Sequence, residues 1–196
     1  MLSTRNSHRS GWDAPGRLAL FLLAAVLALP LLSPAAVQAA TAAELNRNGS
    51  AVLAKLYKSV PKAKELAATA KGVLVFPSIV KAGFMVGGLF GEGVLMKGGK
   101  PVAYYNTVAA SYGYQVGAQK YGYAMFLMND KALEYLDKSD GWEVGTGPSI
   151  VVLDQGAAGG LSTTSARDDV YAFIFNQSGL MAGAGLQGSK ITKIAK

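Results

Sequence analysis

From Ala42 to Ser59 the apolar residues keep a helical rhythm. Leu45, Val52, Leu53, Leu56 and Val60 recur at three- and four-residue spacings with polar residues between them, which predicts an amphipathic helix. Asn48-Gly49 interrupts that pattern and is expected to delay the helix start. A second short helix is expected next, with Ser59 as its N-cap, Pro61 just inside and Gly72 just past its end. After Gly72 the period shortens. Val73–Phe76, Gly83–Phe90 and Val94–Lys97 read as short strands, with Pro77 placing a loop or edge position after the first. Gly98-Gly99-Lys100-Pro101 reads as a turn, so Gly93–Tyr105 is an expected hairpin. Ser111–Gly117 and Tyr121–Met128 alternate aromatic with small residues and predict two more strands, each with one crowded and one less crowded face. Asn129 is an expected N-cap for a short helix over Asp130–Lys138, ended by Asp140-Gly141. Ser149–Leu153 and Val170–Phe175 read as strands. Leu180–Leu186 and Lys190–Ile194 read as a closing hairpin-like pair, and Gly156–Gly160 and Ser162–Ser165 as loops.

The block from Lys71 to Gly99 carries the strongest backbone statement. It is apolar and broken by Gly83, Gly87, Gly88, Gly91, Gly93, Gly98 and Gly99. Interior glycines weaken a helix by roughly 1 kcal/mol each relative to Ala. Strands accept them at bulges, sharp bends and close approaches of backbone. Helices first and many short strands afterwards predict an α+β fold, with N-terminal helices packed on a mainly antiparallel, curved Gly-rich β-sheet or barrel.

The first 39 residues have a different texture. Arg5, His8, Arg9 and Arg17 precede an apolar run from Leu18 to Leu29; Pro30 and Pro34 break it, and Val37-Gln38-Ala39 has the small-x-small pattern of a cleavage site. This reads as a secretory signal peptide over residues 1–39, followed by one domain over 40–196. The run is short for a membrane-spanning helix, which takes about 20 apolar residues. The expected location is therefore outside the cytoplasm, in the periplasm or cell envelope. Residues 1–39 include Arg5, Arg9, Arg17 and Asp13, so removing them lowers the formal charge from +7 to +5. That balance suits an anionic partner and also plain solubility.

Beyond His8 the chain has no histidine, and it has no cysteine at all. Ser-His-Asp and Cys-His catalysis, thiolate or imidazole metal sites, disulfides and lipid attachment at a leader cysteine are all excluded. No cofactor is expected. Gly183–Gly188 spells GxGxxG but leaves only eight residues after it, too few for a dinucleotide-binding unit. Glu92, between two glycines, is either a pocket group or, as the favoured reading, a turn-exposed carboxylate; Asp154 and Asp168-Asp169 are read as structural corners. Only Lys120 is interleaved with the tyrosines from Tyr104 to Tyr123, which favours packing over nucleic-acid stacking. The most functional-looking polar feature is Lys55, Lys58, Lys62, Lys64 and Lys71 against one acid, Glu65. On a helix Lys55, Lys58 and Lys62 lie near one face, a surface suited to anionic lipid.

The segments Ala70–Pro77, Lys81–Gly88 and Gly91–Val94 resemble the SYLF domain, also described as the yeast actin-patch type of actin-binding domain. Further likeness lies in Gly113–Gln119, Phe126–Leu133, Asp169–Ala172, Gly179–Gly183 and Leu186–Ser189, so it spans about Leu45 to Ile194. The resemblance implies a non-enzymatic lipid-binding module whose basic N-terminal segment touches headgroups; Lys55, Lys58, Lys62 and Lys64 match that segment. No SH3 or FYVE domain accompanies it, and a leader precedes it. The chain is thus similar to bacterial, exported members. Its expected partner is an anionic lipid or membrane surface rather than actin or phosphoinositide. The alternative is a cell-envelope protein that holds a protein partner through a sheet edge or Gly-rich loops.

Overall fold

A computed structural model describes residues 39–138, 141–143, 147–154, 168–179 and 189–196. Helix α1 spans Ala42–Ser59 and α2 Pro61–Thr69. Strands β1 (Gly72–Lys97) and β2 (Lys100–Leu127) follow, then helix α3 (Asp130–Lys138), β3 (Trp142–Glu143), β4 (Ile150–Asp154), β5 (Val170–Gly179) and β6 (Lys190–Ile194). The architecture is α+β, with helices preceding a curled, mostly antiparallel half-barrel sheet. β2 is its spine. It pairs with β1 along nearly its whole length on one side, and with β6 and then β5 on the other. β3 pairs with β6, and β4 runs parallel to β5.

The three short strands expected before Gly98 are one strand. Pro77 does not end it; it sits at a register shift between Phe76 and Ile79, where a residue without an N–H leaves no ladder bond unmade. Ser111–Gly117 and Tyr121–Leu127 are likewise parts of β2, which ends one residue before Met128. The turn is as expected: Gly98 and Gly99 have φ of 55° and 76°, the doubly left-handed pair of a two-residue hairpin loop. Leu180–Leu186, both Gly-rich loops and the GxGxxG segment lie outside the described residues. Lys190–Ile194 forms β6 against β2 and β3.

Around Val73–Phe76 and Tyr121–Leu127 both sheet faces are buried, so neither is the less crowded face read from the alternation of Tyr121–Met128; the side chains of residues 111–116 lie outside the described residues. Leu74, Phe76, Tyr123, Met125 and Leu127 pack on one side with Ala132 and Leu136 of α3. Val73, Val75, Ala124, Phe126 and Phe173 pack on the other with Leu53 and Leu56 of α1, Val60, and Ala63 and Leu66 of α2. This double burial explains why Val73–Phe76 and Tyr171–Phe175 are continuous apolar runs.

Glycine sets how closely the layers approach. α1 begins at Ala42, capped by a reciprocal Thr41–Glu44 box, and Gly49 does not delay it. Gly49 is buried, and a Cβ there would lie 2.7 Å from Val94 Cγ1 and 3.2 Å from Val75 Cγ1. Gly91 and Gly93 press on an earlier part of their own strand: a Cβ on Gly93 would lie 2.7 Å from the Val75 carbonyl oxygen and 2.6 Å from the Phe76 ring. In a straight strand Phe76 and Gly93 would be about 55 Å apart. β1 therefore folds back on itself. Ser59 does not cap α2. Val60 occupies that position, and the Ser59 hydroxyl donates instead to the Lys55 and Leu56 carbonyls. Asn129 does cap α3, accepting from the Ala132 N–H at 2.9 Å.

Asp169 ties three elements together. Its carboxylate accepts from the Asn129 amide at 2.7 Å and from the Ser149 N–H at 2.9 Å, and these bonds hold its pKa below the usual carboxylate range.

Gly93→Ala is expected to cost about 1–3 kcal/mol as an overpacked site. Gly88→Ala, whose nearest neighbour is the Ala109 carbonyl at 3.7 Å, is expected to change stability by less than about 0.5 kcal/mol. Urea unfolding of both variants checks this contrast. Asp169 contributes stability above the ordinary carboxylate pKa of about 3.9, and loses it as pH falls through its lower folded value. Melting curves from pH 6 to pH 2.5 should therefore show Asp169→Asn less stable than the parent at pH 6, with the gap closing towards the acid end.

Candidate functional site

The apolar faces of α1 and α2 point at the sheet, which leaves their polar faces outward. Lys55 and Lys58 are exposed on the last turns of α1. The chain then kinks at Val60 (φ −132°, ψ 87°), so Lys62 belongs to α2 and does not share a helix face with them. Lys62 is only 13% exposed and its Nζ lies 3.1 Å from Glu65. Lys71, just before β1, reaches Asp130 at 3.5 Å. Lys55, Lys58 and Lys64 have no ion-pair partner among the described residues. The five lysines thus divide into two engaged and three free.

Among the described residues Lys64 is also the one charged residue lining a cleft of about 570 Å³ between α1, α2, the start of β1 and the β1–β2 turn. Leu53, Ala54 and Tyr57 form one wall, Ala67, Ala68 and Ala70 another, and Val73 and Met96 the floor; Ser50, Gly72, Gly98 and Gly99 complete it. The volume lies within the roughly 300–1,000 Å³ of small-molecule sites. Burial pushes the Tyr57 hydroxyl pKa up, so it stays protonated as a donor. Its ring stands 6.4 Å from that of Phe126. The cleft escaped the pattern of apolar spacings because small residues create it. Its signal was the clustering of Ala67-Ala68, Ala70, Gly72 and Gly98-Gly99, too small to fill the space where two helices meet a hairpin turn.

Glu92 is neither in a turn nor in the cleft. It lies within β1 opposite Asn106, its side chain 11% exposed, and its Oε1 is 2.7 Å from Lys196 Nζ. The strand runs straight through this position because Gly91 and Gly93 fit against the β1 fold-back. Asp168 accepts from the Tyr171 hydroxyl, and Asp169 holds the corner already described. The Asp154 side chain lies outside the described residues. Among the described residues no three Asp or Glu side chains gather into a metal-binding group. Tyr105, Tyr121 and Tyr123 are buried and offer no face for stacking.

The described residues thus form an α+β half-barrel with an apolar cleft and a lysine at its wall. Residues 108–195 match the model of a family described as Ysc84, Las17-binding protein actin regulator. This is the SYLF family of the resemblance, and the match covers a little under half of the chain. The family consists of lipid-binding, actin-regulator-like domains and is not known for enzymatic activity. No curated protein matches the chain. The matched residues begin within β2, so α1, α2 and the cleft's walls lie before them.

Proposed function

We propose that this is an exported, non-enzymatic module that binds anionic phospholipid. The observation that carries this reading is the apolar cleft with Lys64 as its one charge among the described residues; Lys55 and Lys58, exposed on α1 and without an ion-pair partner among the described residues, add positive charge on the preceding helix. An acyl chain fits the Leu53, Ala67, Val73 and Met96 walls, a phosphate-bearing headgroup meets Lys64, and Lys55 and Lys58 add attraction to an anionic surface. Buried leucines dock the helices, at about 1.5–3 kcal/mol each, whereas an exposed ion pair contributes about 0–1 kcal/mol. The free lysines are therefore not needed to hold the fold. The family description names an actin regulator; the leader-like segment of residues 1–39 supports an envelope lipid in place of actin for this chain.

Co-sedimentation with liposomes tests the proposal. The protein is expected to pellet with vesicles containing anionic lipid and to be released by salt. A Lys55→Gln, Lys58→Gln, Lys64→Gln triple variant should lose about 3 kcal/mol, or about a hundredfold in affinity, at about 1 kcal/mol per lysine. Lys62→Gln and Lys71→Gln should have smaller effects. Ala67→Trp, which fills the cleft, should weaken binding with the surface charge intact. Equal, salt-insensitive binding to neutral vesicles, or no binding to any, would overturn the reading. Stoichiometric capture of one protein without lipid dependence would favour the protein-partner alternative.

A further inference from the structure

Glu92 and Lys196 hold one peptide unit, that of Ala40. Glu92 Oε2 accepts from the Ala40 N–H at 2.8 Å, and Lys196 Nζ donates to the Ala40 carbonyl at 2.8 Å while pairing with Glu92 Oε1 at 2.7 Å. Both side chains are about nine-tenths buried, at 11% and 10% exposed. An ion pair withdrawn this far from water is costly unless its remaining hydrogen-bonding capacity is used. Here much of that capacity is spent on a single residue next to the helix cap Thr41.

Ala40 is also the residue that follows Val37-Gln38-Ala39. Hydrolysis of the Ala39–Ala40 bond would give the Ala39 carboxylate and the Ala40 α-ammonium, with water supplying the oxygen and the protons. We infer that Glu92, backed by Lys196, is the receptor for that α-ammonium. This rests on the export reading of residues 1–39 and is independent of which lipid is bound. In the uncleaved chain Glu92 accepts one amide hydrogen bond; in the cleaved chain the same atoms form a charge-assisted contact, roughly twice as strong. The location gives the carboxylate a second role. A positive charge at the start of α1 opposes the helix dipole by about 0.3–1 kcal/mol, and Glu92 lies where it offsets that charge. The Glu44 carboxylate is occupied by its bond from the Thr41 N–H. Gly91 and Gly93 hold β1 against its fold-back, and strand alternation turns Glu92 to the opposite face, towards Ala40. Cleavage thus completes the anchor that fixes where α1 begins over the sheet.

The test uses the full-length chain exported from a bacterial host. Intact mass and N-terminal sequencing identify the first residue, expected to be Ala40. An amine-selective acylating reagent at pH 7 then reads the reactivity of that α-amine by peptide mapping. An ion-paired ammonium keeps its proton and reacts slowly. Ala40 in the parent should label about tenfold more slowly than in Glu92→Gln, the effect of one pKa unit. Glu92→Asp, which keeps the charge but shortens the reach, should fall between them and serves if Glu92→Gln does not fold. Ala40 at the N-terminus with equal labelling rates in parent and variant would overturn the receptor and leave cleavage standing. A different first residue, or a retained leader, would overturn the cleavage reading and the receptor together. Liposome binding reports separately on the lipid proposal.

Discussion

The fold-back of β1 is the constraint on which the rest of the molecule depends. Gly91 and Gly93 lie so close to Val75, Phe76 and Ile79 that no side chain fits between them. A strand of this length without such a contact would extend away from the body and expose its edge. Bent back, it makes a curled sheet that buries Phe76 and Tyr123 on one side and Val75 and Phe126 on the other. Val94, one residue beyond Gly93, faces α1 and receives the bare backbone of Gly49. The curve of the sheet and the seat of the first helix are thus joined at one short segment.

The helices divide the work between their faces. Leu53, Leu56, Val60, Ala63 and Leu66 enter the core, and this burial is what holds α1 and α2 in place. Because burial supplies the stability, the outward lysines are left for other uses. The kink at Val60 separates them: Lys55 and Lys58 on one helix, Lys64 on the next beside the cleft, and Lys62 drawn to Glu65. The cleft follows from the same kink, since two short helices meeting a glycine turn across a row of alanines cannot close the gap.

Much of the architecture was legible from local signals. Apolar spacing located α1, Pro61 the start of α2, Asn129 the cap of α3 and Gly98-Gly99 the hairpin turn. The glycine density of Lys71–Gly99 announced a backbone in close contact with something. It did not say that the contact was an earlier part of the same strand, because residues seventeen apart in sequence carry no local mark of their meeting. For the same reason Gly49 read as a weak point in a helix when it is a packing site, and Pro77 as a break when it sits in a bulge. The lysine cluster was visible, but its division into paired and unpaired members was not, since Glu65 and Asp130 become partners only through geometry.

By itself the sequence determined the class of fold, a family resemblance, the absence of thiol and imidazole chemistry after the first residues, and a basic segment ahead of a glycine-rich body. These are properties of composition, spacing and motif, which neighbouring residues set among themselves. Only the tertiary structure decided that Glu92 pairs with Lys196 and grips Ala40, that both sheet faces are buried around Val73–Phe76 and Tyr121–Leu127, and that small residues from four separate elements enclose a cleft. Each of these joins parts of the chain far apart in sequence, and such contacts exist only once the sheet has curled.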